Sequence, residues 1–110
     1  MTDFSTNMSN INFNRDKLKK SVETISKKYG VERVYLFGSH ARNEANADSD
    51  VDIRIDKGTL RGLFQLAGFQ LELEESLGVK VDVLTTQSLD ESFLTNIKRD
   101  EVVIYERNIS

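Results

Sequence analysis

The sequence predicts one small α/β domain, a mixed β-sheet flanked by helices. Three observations carry this. Apolar residues at helical spacing alternate with short β-branched runs, helix then strand along the whole chain. The 110 residues are 38% hydrophobic and 30% charged, which suits one compact core. Proline is absent, so Gly, Asn, Asp and Ser must make the turns, and every loop between predicted elements is short. The first stretch, residues 1–12, is polar and rich in Ser, Thr and Asn, and it is expected to be a flexible N-terminal segment. Residues 13–110 form the predicted domain.

The elements follow in order. Asn14 is a candidate N-cap, and Leu18, Val22, Ile25 and Tyr29 then recur at helical spacing until Gly30 stops the helix. The lysines of this helix are expected on a solvated outer face. Val31 to Phe37 is β-branched and aromatic and reads as a strand. Ser39 to Ala47 is small and polar, a tight turn leading into a short helix. Asp50 to Ile55 alternates carboxylate with aliphatic residues, the period of a strand with two unlike faces. Thr59 is a candidate cap for a helix from Leu60 to about Leu77, with Leu63, Phe64, Leu66, Ala67, Leu71 and Leu77 as its apolar stripe and Gly78 as its stop. Val79 to Leu84 is a third strand. Ser88 and Glu91 have capping-box spacing ahead of a helix marked by Leu89, Phe93, Leu94 and Ile97. Val102 to Tyr105 is the last strand.

Composition narrows the function. Cysteine is absent, which excludes disulfides, zinc–thiolate sites and thiol nucleophiles and fits a reducing compartment. No apolar run approaches the ~20 residues of a membrane-spanning helix. The N-terminus lacks the basic-then-apolar layout of a secretory signal, so a cytoplasmic protein is expected. The net charge is −3, with Lys and Arg concentrated between Arg15 and Lys28. That balance argues against direct nucleic-acid binding, which calls for a basic surface.

The chemistry begins with Asp50 and Asp52. Two residues apart on a strand, they share a face and lie about 6.6 Å apart at ~3.3 Å per residue. Carboxylates so placed repel one another, and a divalent cation relieves the conflict. Alone, an Asp-x-Asp is as readily the wet face of an exposed edge strand. Asp82, set among β-branched residues in a separate strand, is out of keeping with strand propensity. If the two strands are neighbours, the three acids outline a two-metal site. Arg54 and Asp56 share the carboxylate face of a regular strand, and Arg54 is placed to border the site. Gly38-Ser39 ends a strand and opens a short helix. Glycine allows close backbone approach, and a helix N-terminus favours phosphate. By itself, Gly-Ser is equally an ordinary turn.

The combination is more specific. Ten residues separate Ser39 from Asp50 in a Gly-Ser-x(10)-Asp-x-Asp pattern. Leu36-Phe37-Gly38-Ser39-His40-Ala41-Arg42 and Ser49-Asp50-Val51-Asp52-Ile53 surround it. In these residues, and from about Leu18 to Arg107, the chain resembles the minimal nucleotidyltransferases (MNT) of the polymerase-beta-like superfamily. The resemblance implies that Gly38 and Ser39 grip a nucleoside triphosphate. It implies that Asp50 and Asp52 bind two Mg²⁺ ions, with Asp82 as the third catalytic acid, able to take the acceptor's proton. Arg42 is a candidate phosphate contact or a partner for a nearby acid, and Ser49 a candidate phosphate contact or a loop cap. His40, the only histidine, is expected to be exposed beside the turn without a catalytic role.

MNT proteins of this kind pair with HEPN toxin RNases. The resemblance therefore implies an antitoxin that transfers AMP from ATP to a tyrosine hydroxyl of a cognate HEPN toxin, in a hetero-oligomer with it. Two alternatives stay open: an antitoxin acting by binding alone, and a transferase acting on a small molecule or an RNA end.

Overall fold

The computed structural model describes residues 15–46 and 49–107. The expected cap Asn14 and the flexible segment 1–12 lie outside the described residues. The elements are α1 (Arg15–Tyr29), β1 (Arg33–Phe37), α2 (Gly38–Ala41), β2 (Val51–Asp56), α3 (Gly62–Leu77), β3 (Val81–Thr85), a 3-10 turn (Thr86–Ser88), α4 (Glu91–Lys98) and β4 (Val102–Glu106). The predicted alternation of helix and strand is present throughout.

The strands form one mixed sheet in the order β3-β2-β1-β4. β1 runs antiparallel to both β2 and β4, while β2 and β3 are parallel. The Asp-bearing strand β2 is therefore central, not an edge. Its parallel partner requires a crossover, and α3 supplies it.

Strand alternation divides the sheet into two faces. Val34, Leu36, Val51, Ile53, Ile55 and Val81 point to one of them and are buried. Leu18, Val22 and Ile25 of α1 and Phe69, Leu73 and Leu77 of α3 complete this core. The helices also meet each other. Tyr29 lies edge-on to Phe69 at 5.9 Å between ring centroids, and its hydroxyl donates to Glu72 at 2.6 Å. The lysine face of α1 is largely solvated as expected, although Lys28 reaches Glu72 at 2.8 Å.

Four local expectations fail. Thr59 does not cap α3: its hydroxyl donates to the carbonyl of Gly30 at 3.4 Å, and α3 starts only at Gly62 behind an uncapped Arg61. Leu60, expected inside the helix, is instead buried in the connection before it. The apolar stripe of α3 is also rotated. Phe69, Leu73 and Leu77 are its buried residues, whereas Leu63, Phe64 and Leu71 are exposed. With so many apolar residues around the helix, periodicity alone could not select the inner face. Finally, Asp90, not Ser88, caps α4 by accepting the Phe93 N–H at 2.8 Å, and Ser88 donates to Thr85 O instead. Asp and Ser are comparable caps, so the sequence offered two nearby choices.

Candidate active site

The second face of the sheet carries the polar residues of β2. Phe37 pairs with Asp52, Tyr35 with Arg54 and Arg33 with Asp56 across β1 and β2. Across β2 and β3, Asp52 stands in register with Asp82. Two acids from strands far apart in sequence are thus direct neighbours. The parallel register, which no local pattern encodes, decides this.

Asp52 and Asp82 are paired positions on neighbouring parallel strands. Burial pushes the Asp52 carboxyl above its ordinary range, and the charges of Asp82 and then Asp50 push in the same direction, with a smaller opposing pull from His40. Asp50 lies one residue before β2 and is exposed, so it acts on Asp52 through charge. The three-acid metal cage expected from the sequence is not assembled. Among the described residues, no three His, Cys, Asp or Glu side chains are gathered to metal-holding distance. Asp52 and Asp82 are paired in register, and Asp50 is exposed one residue before β2.

The Gly38 turn sits directly against this pair. Gly38 adopts φ +74°, and a Cβ there would lie 2.5 Å from Asp52 Oδ2. Both the left-handed backbone and the space demand glycine. β1 thus ends beside the acids, and α2 begins there with amides that its single turn cannot satisfy internally. The donor set suits a hard divalent cation. Carboxylate oxygens from two strands repel one another beside the Gly38 turn, and Mg²⁺ is ordinarily held by one or two carboxylates together with substrate phosphates.

The remaining candidates take supporting positions. Arg42 Nε pairs with Glu44 at 3.0 Å, and its Nη1 lies 3.8 Å from Asp100. In this state it holds the end of α2. Ser49 closes its loop, accepting the Asn46 N–H at 3.0 Å and donating to Asn46 Oδ1 at 3.3 Å. His40 is buried, contrary to expectation, with Nε2 3.2 Å from the carbonyl of Ser49. It ties α2 to the segment leading into Asp50. Arg15 donates to the carbonyl of His40 at 2.6 Å and so fixes α2 to α1 as well.

Arg54 does not border the site as an open cation. It is buried, clamping Glu101 through Nε at 2.7 Å and Nη2 at 2.8 Å. Nη1 donates to Thr86 at 2.7 Å, and the guanidinium lies 3.9 Å over the Tyr35 ring. Asp56 joins the same network, accepting from Thr86 at 2.6 Å and Arg33 at 3.1 Å. Burial alone would push the Asp56 carboxyl up. The hydrogen bonds from Thr86 and Arg33, with the Arg54 charge, outweigh it and hold the group below its ordinary range. Sequence reasoning missed this hub because Glu101 carries no periodic or motif signal. The one hint was an arginine inside an otherwise acid-and-aliphatic strand.

Comparison with known proteins bears on this arrangement. Residues 19–110 match the family model described as polymerase beta, nucleotidyltransferase. The chain belongs to that family. It is therefore a nucleotidyltransferase. A Methanocaldococcus jannaschii relative, provisionally named a protein adenylyltransferase, is 43% identical over 76 residues, covering 69% of this chain and 82% of the relative. The protein adenylyltransferase MntA of Thermococcus cleftensis is 32% identical over 80 residues, covering 73% of this chain and 81% of its own length. Among solved structures, a provisionally assigned minimal nucleotidyltransferase matches with a TM-score of 0.68 at 33% identity, covering 76% of this chain and 86% of that one. A complex of a tri-AMPylated HEPN toxin with an MNT antitoxin from Shewanella oneidensis matches at a TM-score of 0.67 and 14% identity, covering 86% of this chain and 74% of that one. The last likeness speaks for the fold alone. Among the described residues, no helix is long and apolar enough to cross a membrane.

Proposed function

We propose that this nucleotidyltransferase transfers AMP from ATP to a tyrosine hydroxyl of a cognate HEPN toxin and thereby neutralises it. One observation carries the reading: Asp52 and Asp82 stand in register on adjacent strands, directly against the Gly38 turn. Acids and phosphate turn meet where an α-phosphate must be held. Two relatives named protein adenylyltransferases support AMP as the group moved. The structural likeness to an AMPylated HEPN toxin bound to its MNT antitoxin supports the acceptor class.

In this reading the Gly38-Ser39 amides and the Ser39 hydroxyl bind the triphosphate and hold it in line. Asp52 and Asp82, with the exposed Asp50 just ahead of β2, are the residues that would hold Mg²⁺. When bound, the ion supplies positive charge that neutralises the triphosphate and the developing negative charge. The acceptor hydroxyl forms a new O–P bond at the α-phosphorus while the bond from Pα to the bridging oxygen breaks. Pyrophosphate leaves, and Asp82 takes the hydroxyl proton. Arg42 and Ser49 shape the turn and its loop, and they become phosphate contacts only if Arg42 exchanges Glu44 for substrate.

The test is labelling of the co-purified toxin with α-³²P-ATP. The parent chain is expected to label it, and the double variant Asp50→Asn/Asp52→Asn is expected not to while remaining folded by circular dichroism. Retained labelling places the site elsewhere. In cells, full protection from the toxin by the double variant would overturn neutralisation by catalysis in favour of neutralisation by binding.

A further inference from the structure

The two faces of the sheet are held by different means. On the core face, apolar side chains of α1 and α3 pack against the strands. On the acid face, one polar side chain is tied to all four strands. Arg54 rises from β2 two residues after Asp52, on the same face and about 6.6 Å along it at ~3.3 Å per residue. Its guanidinium lies 3.9 Å over the ring of Tyr35 on β1. Across β1 it clamps Glu101, the residue just ahead of β4, through Nε at 2.7 Å and Nη2 at 2.8 Å. Toward the other edge, Nη1 donates to the hydroxyl of Thr86, the residue just after β3, at 2.7 Å. Thr86 donates in turn to Asp56 at 2.6 Å, which returns the network to β2.

Stability does not account for this arrangement. Taking two charges out of water is costly, and apolar residues of similar volume often fill such a site as well or better. What apolar residues cannot reproduce is direction. The guanidinium is a rigid planar fork of donors, and here it fixes Glu101, Thr86 and the Tyr35 ring at set distances. The acids need such fixing. Asp52 and Asp82 stand in register on β2 and β3 and carry like charge, so they push their strands apart on this face. The Arg54–Thr86 bond joins β2 to the end of β3, two positions beyond Asp52 and four beyond Asp82, and it opposes that push.

We infer that Arg54 is a positioning residue for nucleotidyl transfer. By tying β2 to Tyr35, Thr86 and Glu101 it sets the separation of the Asp52 and Asp82 carboxylates, and so their joint grip on a divalent cation. It acts through the two acids and touches no substrate itself. This role presupposes that the acids hold the cation of the nucleotide, as in the proposed function.

Calorimetric titration with the Mn²⁺ complex of a non-hydrolysable ATP analogue tests the role without any acceptor, since Mn²⁺ suits carboxylate ligands. The parent is expected to bind the complex, and Asp52→Asn/Asp82→Asn is expected to lose most of the affinity. Arg54→Met/Glu101→Leu replaces the ion pair by apolar volume. Its stability in urea is expected to be close to the parent's, yet its affinity is expected to fall about tenfold, the scale on which groups that orient metal ligands act. Arg54→Lys keeps the charge but not the fork. It is expected to lose affinity too, and it decides the matter if the double variant does not fold. Tyr29→Phe loses the hydroxyl bond to Glu72 on the core side and is expected to bind as the parent does. A parent that does not bind, or an acid double variant that binds equally well, overturns the cation site and this role with it. Parent-like affinity in the Arg54 variants, with the acids still required, overturns the role alone. So does an equal loss in Tyr29→Phe, because destabilisation anywhere in the domain would then suffice.

Discussion

Glu101→Gln keeps the shape of the residue that clamps Arg54 but removes its charge. The two side chains are 4% and 7% exposed, and Arg54 contacts Glu101 at 2.7 and 2.8 Å. At such burial, water cannot take over the guanidinium. Two unit charges about 4 Å apart interact by ~4 kcal/mol at an effective dielectric of 20. Removing one partner of a buried pair costs about 3 to 5 kcal/mol, because the other charge is left uncompensated. At roughly 4 °C per kcal/mol for a domain of this size, the melting temperature should fall by roughly 12 to 20 °C. The expected carrier of the loss is Arg54, so Arg54→Met/Glu101→Leu should recover most of it by replacing the pair with apolar volume. Urea unfolding of the parent, Arg54→Met, Glu101→Leu and the double variant gives the coupling directly. A loss below about 1 kcal/mol for Glu101→Gln would refute the reasoning, since that is the range of a solvent-screened surface pair.

Gly38→Ala forces a side chain into the left-handed region, at about 1 to 2 kcal/mol, and drives its Cβ into Asp52. It should lower stability measurably and reduce ATP binding in calorimetry; an unchanged affinity would remove the turn from the site. Asp52 has a folded-state pKa above its ordinary value, so it adds stability below its unfolded pKa, about 3.9, and that contribution is lost as pH rises through the folded value. Asp52→Asn should therefore melt higher than the parent at pH 7 in EDTA, with the advantage disappearing in acid; a lower melting point at pH 7 contradicts the repulsion between Asp52 and Asp82. Asp56 has the opposite sign. Its lowered pKa gives stability present above the unfolded pKa and lost as pH falls through the folded one, so Asp56→Asn should be less stable at pH 7 and flatten the acid limb of unfolding. Mg²⁺ at a hundred times its dissociation constant should stabilise the parent by about 2.7 kcal/mol, and Asp52→Asn/Asp82→Asn should abolish the shift in a thermal melt; a shift that persists places the cation elsewhere.

Much of the site was legible in the sequence because its parts are local. Gly38-Ser39 lies at the end of a β-branched run, and the Asp-x-Asp alternation sets core residues against carboxylates within one strand. Neither needs a distant partner to be recognised. The same holds for α1, where Leu18, Val22 and Ile25 are spaced as they are buried. Legibility fails where several answers satisfy the local rules. α3 is apolar on more than one side, and both Ser88 and Asp90 can cap α4. His40 reads as a surface residue until the loop through Ser49 folds over it.

The sequence by itself determined the order of helices and strands, and it singled out the Gly38-Ser39 turn and the three acids as the candidates. These depend on propensity, periodicity and short motifs, which act within a few residues. Only the tertiary structure decided which acids meet. The parallel pairing of β2 with β3 puts Asp82 beside Asp52, while Asp50, close to Asp52 in sequence, is left exposed one residue outside the strand. It likewise decided that Arg54 is buried on Glu101, 47 positions away, and which side of α3 faces water. Strand register and helix rotation are set by how the whole core closes. A charge or an apolar residue acquires its role only after that closure fixes its neighbours.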